Sequence, residues 1–166
     1  MEKPSPPFDP DQYDAHRNAV AIIMNHFFLR YLNLLYRKFE GDLVSPIVLG
    51  EIAHHNILRL YSRRGDSVEV YKKAADYRER MKHFEPTNAF SISQATGIPR
   101  ETARGKIDKL GKKGWVVKND RGEVFISETV SGRFTKDFNK KILSELLETS
   151  GSILRLLQPD SKNQEK

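Results

Sequence analysis

With 166 residues, 38% of them hydrophobic and 30% charged, the chain can bury one full core or two small ones sharing an interface. That composition excludes the disordered and membrane-embedded classes, and a net charge of +6 favours a polyanionic partner. The absence of cysteine excludes disulfides and thiolate metal or redox chemistry, which suits a cytoplasmic location.

Residues 1–12 are polar and proline-rich and read as a flexible arm, without the basic-then-apolar pattern of a secretory signal. A helix is predicted over 13–39. Val20, Ile23, Phe27, Tyr31, Leu34 and Leu35 form one apolar stripe at three- and four-residue spacing, and Ile22, Leu29, Leu32 and Tyr36 form a second. A helix apolar on two sides needs cover on two sides, and a second copy of the chain is the simplest source. The run Ala19–Tyr36 has nearly the length of a membrane span. Asn25, His26, Arg30 and Asn33 interrupt it, so a buried helix is expected and no membrane partner.

Gly41 and Asp42 end this helix. Ser45-Pro46 reads as an N-cap followed by proline at the first helical position, opening a helix through Leu49, Ile52, Ala53, Ile57, Leu60 and Tyr61 to Arg63-Arg64-Gly65-Asp66. A third helix is expected with Val70, Ala74, Tyr77, Met81 and Phe84 on one face, broken at Glu85-Pro86. The helical region 13–85 is assigned to dimerisation and leaves room for sensing a small-molecule effector.

Thr87 or Asn88 then caps a short helix to Thr96, Gly97 supplies a positive-φ turn, and Pro99 opens a second helix to about Lys112. That helix buries Ala103, Ile107 and Leu110 and turns Arg100, Glu101, Arg104 and Asp108 outward, which is the pattern of a helix-turn-helix. Gly114 ends it, Trp115 anchors the chain on the core, and Val116–Lys118 and Glu123–Ile126 are β-prone runs joined by Asn119-Asp120-Arg121-Gly122. Between Ala95 and Ile126 eight basic residues face four acidic ones, so this segment holds +4 of the chain's +6. Ser131 is expected to cap a last long helix through Phe134, Phe138, Ile142, Leu146, Leu147, Ile153 and Leu157, with Gly151 as a point of interruption. A disordered tail is expected over 159–166.

The stretch SQATGIPRETARGKIDKLGKKGWVVK resembles the DNA-binding core of bacterial winged-helix transcription regulators, in the general style of the MarR and related families. The resemblance covers roughly residues 87–127. It implies a mainly α fold: a winged helix-turn-helix over 86–128, with flanking long helices, including 129–158, forming a dimerisation region. It further implies a homodimer on double-stranded DNA, with helix 99–112 in the major groove and the wing 116–126 on backbone or minor groove. Residues 43–84 place two helices before the motif where one is usual, and no ligand pocket is carried over.

Arg100 and Arg104 lie four apart and project from one face, and arginine suits guanine edges and phosphates best. With Glu101 and Thr102 they are the expected base readers. Asn88, Ser91, Lys109, Lys112, Lys113, Lys118 and Arg121 are expected on the DNA backbone or in the wing contact, and Lys106 on phosphate or only water. Gly105, in mid-helix, is expected to allow close approach to the groove. The histidines His16, His26, His54, His55 and His83 do not fall at metal-ligand spacing, and no catalytic constellation occurs, so no metal, cofactor or enzyme activity is expected. Two other readings stay open: a winged-helix protein-interaction module without DNA binding, and a plasmid or phage replication or partition protein.

Overall fold

The computed structural model describes residues 8–62 and 84–158. Among the described residues the chain is mainly helical, with one two-stranded antiparallel sheet. The elements are α1 (Pro10–Lys38), α2 (Val44–Ser62), α3 (Ala89–Thr96), α4 (Arg100–Lys112), β1 (Val116–Lys118), β2 (Val124–Ile126), α5 (Glu128–Arg133), a π-helical turn (Phe134–Phe138) and α6 (Asn139–Leu157). The helix expected around Val70–Met81, most of the N-terminal arm and the tail 159–166 lie outside the described residues. Contacts divide the chain into two compact units, one of residues 1–34 with 137–166, the other of residues 35–136.

In the second unit, α2 packs on α3, α4 and β2, and α3 packs on α4. Val48 and Ile52 of α2, Ile92 of α3, Ala103, Ile107 and Leu110 of α4, and Val124 of β2 form a core almost closed to solvent. Trp115 completes it, meeting Phe39 edge-on at 5.2 Å and Phe134 edge-on at 5.6 Å. The tryptophan thus fastens the start of the hairpin to the end of α1, as its anchoring role required.

Three helix starts differ from expectation, and capping explains each. α1 begins at Pro10 rather than Tyr13, because Asp9 accepts from the backbone N–H of Asp11 at 2.9 Å and proline is tolerated in the first turn. α2 is capped by Asp42 rather than Ser45: its Oδ1 accepts from Val44 N at 3.2 Å and Ser45 N at 3.0 Å. α5 begins three residues before Ser131, where Ser127 Oγ accepts from Val130 N at 3.3 Å while donating to the Gly114 carbonyl at 2.7 Å. α6 runs through Gly151 without a break.

The hairpin pairs Val116 with Ile126, Val117 with Phe125 and Lys118 with Val124. Gly122, at φ 75°, closes its turn, and Asn119 Oδ1 accepts from the N–H groups of Arg121 and Glu123. A further bridge was not foreseen: Thr87 exchanges both backbone hydrogen bonds with Val124, at 2.8 and 3.2 Å. Asn56, fully buried on α2, locks this corner. It donates to the carbonyls of Glu85 at 2.6 Å and Val124 at 3.3 Å, and accepts from Ile126 N at 2.8 Å.

In the first unit, the two stripes of α1 part company. Val20 is buried and Ile23, Phe27, Tyr31 and Leu34 are half-buried, whereas Ile22, Leu29 and Leu32 are exposed. The expected buried helix is therefore buried on one side only, since a single chain leaves the second stripe without cover. Within that unit Arg30 meets Glu145 of α6 at 3.2 Å. By length and composition alone, α1 also passes as a candidate membrane span, with a window of mean hydropathy 1.2.

Candidate nucleic-acid interface

α3 and α4 meet through a tight turn that the sequence dictates. Asn88 caps α3 by accepting from Phe90 N at 2.9 Å and Ser91 N at 3.0 Å. Gly97 ends it at φ 73°, a left-handed conformation that glycine alone adopts freely. Ile98 then packs against the core and Pro99 flanks the start of α4. With Ala103, Ile107 and Leu110 buried at three- and four-residue spacing, the rest of α4 faces outward as two basic flanks.

Arginines occupy one flank. Arg100 and Arg104 line a groove of about 350 Å³ together with Asn88, Phe90, Asp108 and Lys118. Arg104 Nη1 lies 3.5 Å from Glu101 Oε2, one helical turn earlier, and both side chains are largely exposed. Such a surface pair is worth little and is easily exchanged for another anion. Lys118, on β1, is bonded to Asp108. The hydrogen bond from Lys118 is the largest influence on the Asp108 carboxyl and lowers its pKa against a smaller opposing effect of burial; the charges of Lys118, Lys112 and Arg104 lower it further.

The other flank carries lysines, and each has a carboxylate partner from the turn between α1 and α2. Lys106 Nζ and Lys109 Nζ reach Asp42 Oδ2 at 2.9 and 3.0 Å, and Lys113 Nζ reaches Glu40 Oε1 at 2.9 Å. Burial pushes the Asp42 carboxyl up, but the hydrogen bonds from Lys106, Lys109 and Ser45 together outweigh it and hold the group well below the usual carboxylate range. The hydrogen bond and then the charge of Lys113 lower Glu40 in turn.

The remaining expected contacts are dispersed around these flanks. Thr102 and Lys112 are exposed on α4, and Arg121 is exposed at the hairpin tip. Asn88 is exposed although its carbonyl oxygen is engaged in capping, and Ser91 is half-buried. Sequence reasoning missed Phe90, which stands 55% exposed in the arginine groove. Its signal was available: a residue two before buried Ile92 points away from the core on a helix. It also missed that Glu40 and Asp42, remote in sequence, neutralise the lysine flank. Among the described residues no group of three or more potential metal ligands is brought together. Comparisons with family models, with curated proteins and with solved structures match nothing to this chain.

Proposed function

We propose that the chain is a sequence-specific, double-stranded-DNA-binding transcription regulator of winged-helix type that acts as a homodimer in the cytoplasm. α4 enters the major groove and the β1–β2 hairpin lies on backbone or minor groove. The order α2, Thr87 bridge, α3, α4, hairpin supports this reading, since the bridge ties the segment before α3 to the wing. The observation that carries it is the exposed pair Arg100 and Arg104 on the first turns of α4, lining a groove with Lys118 and backed by a helix face that is wholly core. Arginine projected from a rigid, well-packed helix is suited to bidentate contact with guanine.

The test is a paired titration of the wild type and Arg104→Ala against a selected genomic fragment and a scrambled duplex at one salt concentration. A bidentate base contact contributes ~1–3 kcal/mol of discrimination, so Arg104→Ala should lose about tenfold or more on the selected fragment and little on the scrambled one. Equal losses on both make Arg104 a phosphate contact. Absence of wild-type binding to any fragment overturns the DNA reading in favour of a protein-interaction module. Selected fragments that lie at one replication origin, rather than upstream of genes, overturn the regulator in favour of a replication or partition protein.

A further inference from the structure

The turn that joins α1 to α2 holds a residue in an unfavourable conformation. Glu40 is the one residue other than glycine, among those described, with positive φ, at 57°. It occupies the position after a helix end where glycine is normally found: Gly41 N donates to the Tyr36 carbonyl at 2.8 Å and Glu40 N to that of Arg37 at 3.4 Å. A residue with a Cβ is disfavoured there because that atom crowds the following carbonyl. What the glutamate adds over glycine is a carboxylate on Lys113, at 2.9 Å. Two residues on, Asp42 Oδ2 gathers Lys106 Nζ, Lys109 Nζ and Ser45 Oγ within 2.8–3.0 Å while Oδ1 caps α2. Only about a tenth of the Asp42 side chain is accessible.

Lys106, Lys109 and Lys113 recur at three- and four-residue spacing, so they form a continuous cationic row along α4. A row of that kind beside a groove-reading face is what a DNA backbone would engage without regard to sequence. We propose that Glu40 and Asp42 determine specificity by standing in for DNA phosphates: they occupy the lysine row, so that non-target duplex gains little from it and binding depends on the arginine flank. The inference rests on the DNA-binding reading above. It assigns to two acidic residues outside the helix-turn-helix segment a role in suppressing indiscriminate binding.

Glu40→Gly and Asp42→Asn test it, with scrambled and selected duplexes titrated over a range of salt. Each phosphate contact steepens the slope of log affinity against log salt by ~0.9, so each freed lysine should add about 3.5-fold to the affinity lost between about 50 and about 200 mM salt. Glu40→Gly, which frees Lys113 and relieves the backbone, should bind scrambled duplex more tightly with a steeper slope and a lower specificity ratio, while unfolding at the same temperature or higher. Asp42→Asn should steepen the slope further, because it releases two lysines. The gain should vanish in the double variant Glu40→Gly, Lys113→Ala. If Glu40→Gly and Asp42→Asn both remain folded and their slopes and specificity ratios equal those of the wild type, the two carboxylates are structural only and the proposal is overturned. If the wild type binds no duplex, the DNA reading itself has failed and the inference falls with it. The two failures are told apart by the wild-type titration alone.

Discussion

At the scale of single residues, Gly105 tests whether α4 is built for stability or for contact. It sits in the interior of α4, on the outward side between the two basic flanks, and a methyl group added there would meet nothing within 4 Å. Packing therefore gives no reason for glycine, and none of the turn geometries that require positive φ applies inside a helix. Glycine in a helix interior costs ~1 kcal/mol relative to alanine, chiefly in backbone entropy. Gly105→Ala should then stabilise the fold by ~1 kcal/mol, raising the unfolding temperature by about 2–4 °C for a chain of this length. If α4 presses its backbone against a groove wall, the same variant should also weaken binding to duplex DNA. Calorimetry and a DNA titration on one preparation read both effects. A more stable protein with unchanged affinity would show that the middle of α4 does not approach DNA closely.

At the scale of elements, Asn56 decides whether α2 and the hairpin hold together. Its amide satisfies two carbonyls and one N–H from segments 29 to 70 residues away, in a position closed to solvent. A hydrogen bond in a folded protein is worth ~0.5–1.5 kcal/mol net, so Asn56→Ala, which removes three from a buried position, should lose about 2–4 kcal/mol in urea unfolding. A loss below about 1 kcal/mol would mean that water replaces the amide and that the corner is not locked by it. Nothing in the sequence around Asn56 marks it as such a lock, since the partners become neighbours only after folding. The same distinction separates what was legible from what was not. The α3–α4 turn could be read directly, because Asn88, Gly97 and Pro99 act on their own backbone. So could the hairpin and the anchoring role of Trp115. Helix starts were read less well where two capping candidates competed: Asp42 prevails over Ser45 because its carboxylate is also drawn to Lys106 and Lys109, across 64 and 67 residues. The cationic residues of α4 were legible as a basic helix, but not as an arginine flank beside the groove and a lysine flank already paired, because Glu40 and Asp42 are supplied from another element.

At the scale of the whole molecule, the exposed stripe of α1 bears on assembly. Ile22, Leu29, Leu32 and Tyr36 recur at intervals of seven, three and four, and exposed Asn25 fills the gap in the same seam. On α6, Leu143, Leu147 and Leu154 repeat the pattern, with Leu147 61% accessible. Monomeric proteins rarely expose contiguous apolar surface beyond a few hundred Å². Covering it is worth ~25 cal/mol per Å², and a stable interface buries roughly 1,200–2,000 Å² in total. A second copy supplies a matching apolar helix without a further gene product, and a polar Asn in an apolar seam favours one register and one oligomeric state over alternatives. A two-fold dimer also suits paired half-sites on DNA about one helical turn apart, which a monomer cannot engage together. Sedimentation equilibrium should therefore give a dimer at micromolar concentration. Leu29→Glu with Leu147→Glu should give a folded monomer, because neither side chain supports the core of its own chain. That monomer should retain weak binding to a single half-site and lose the tighter binding to a full palindromic site. A wild-type monomer at micromolar concentration, or a double variant that stays dimeric, would exclude this helix face as the interface.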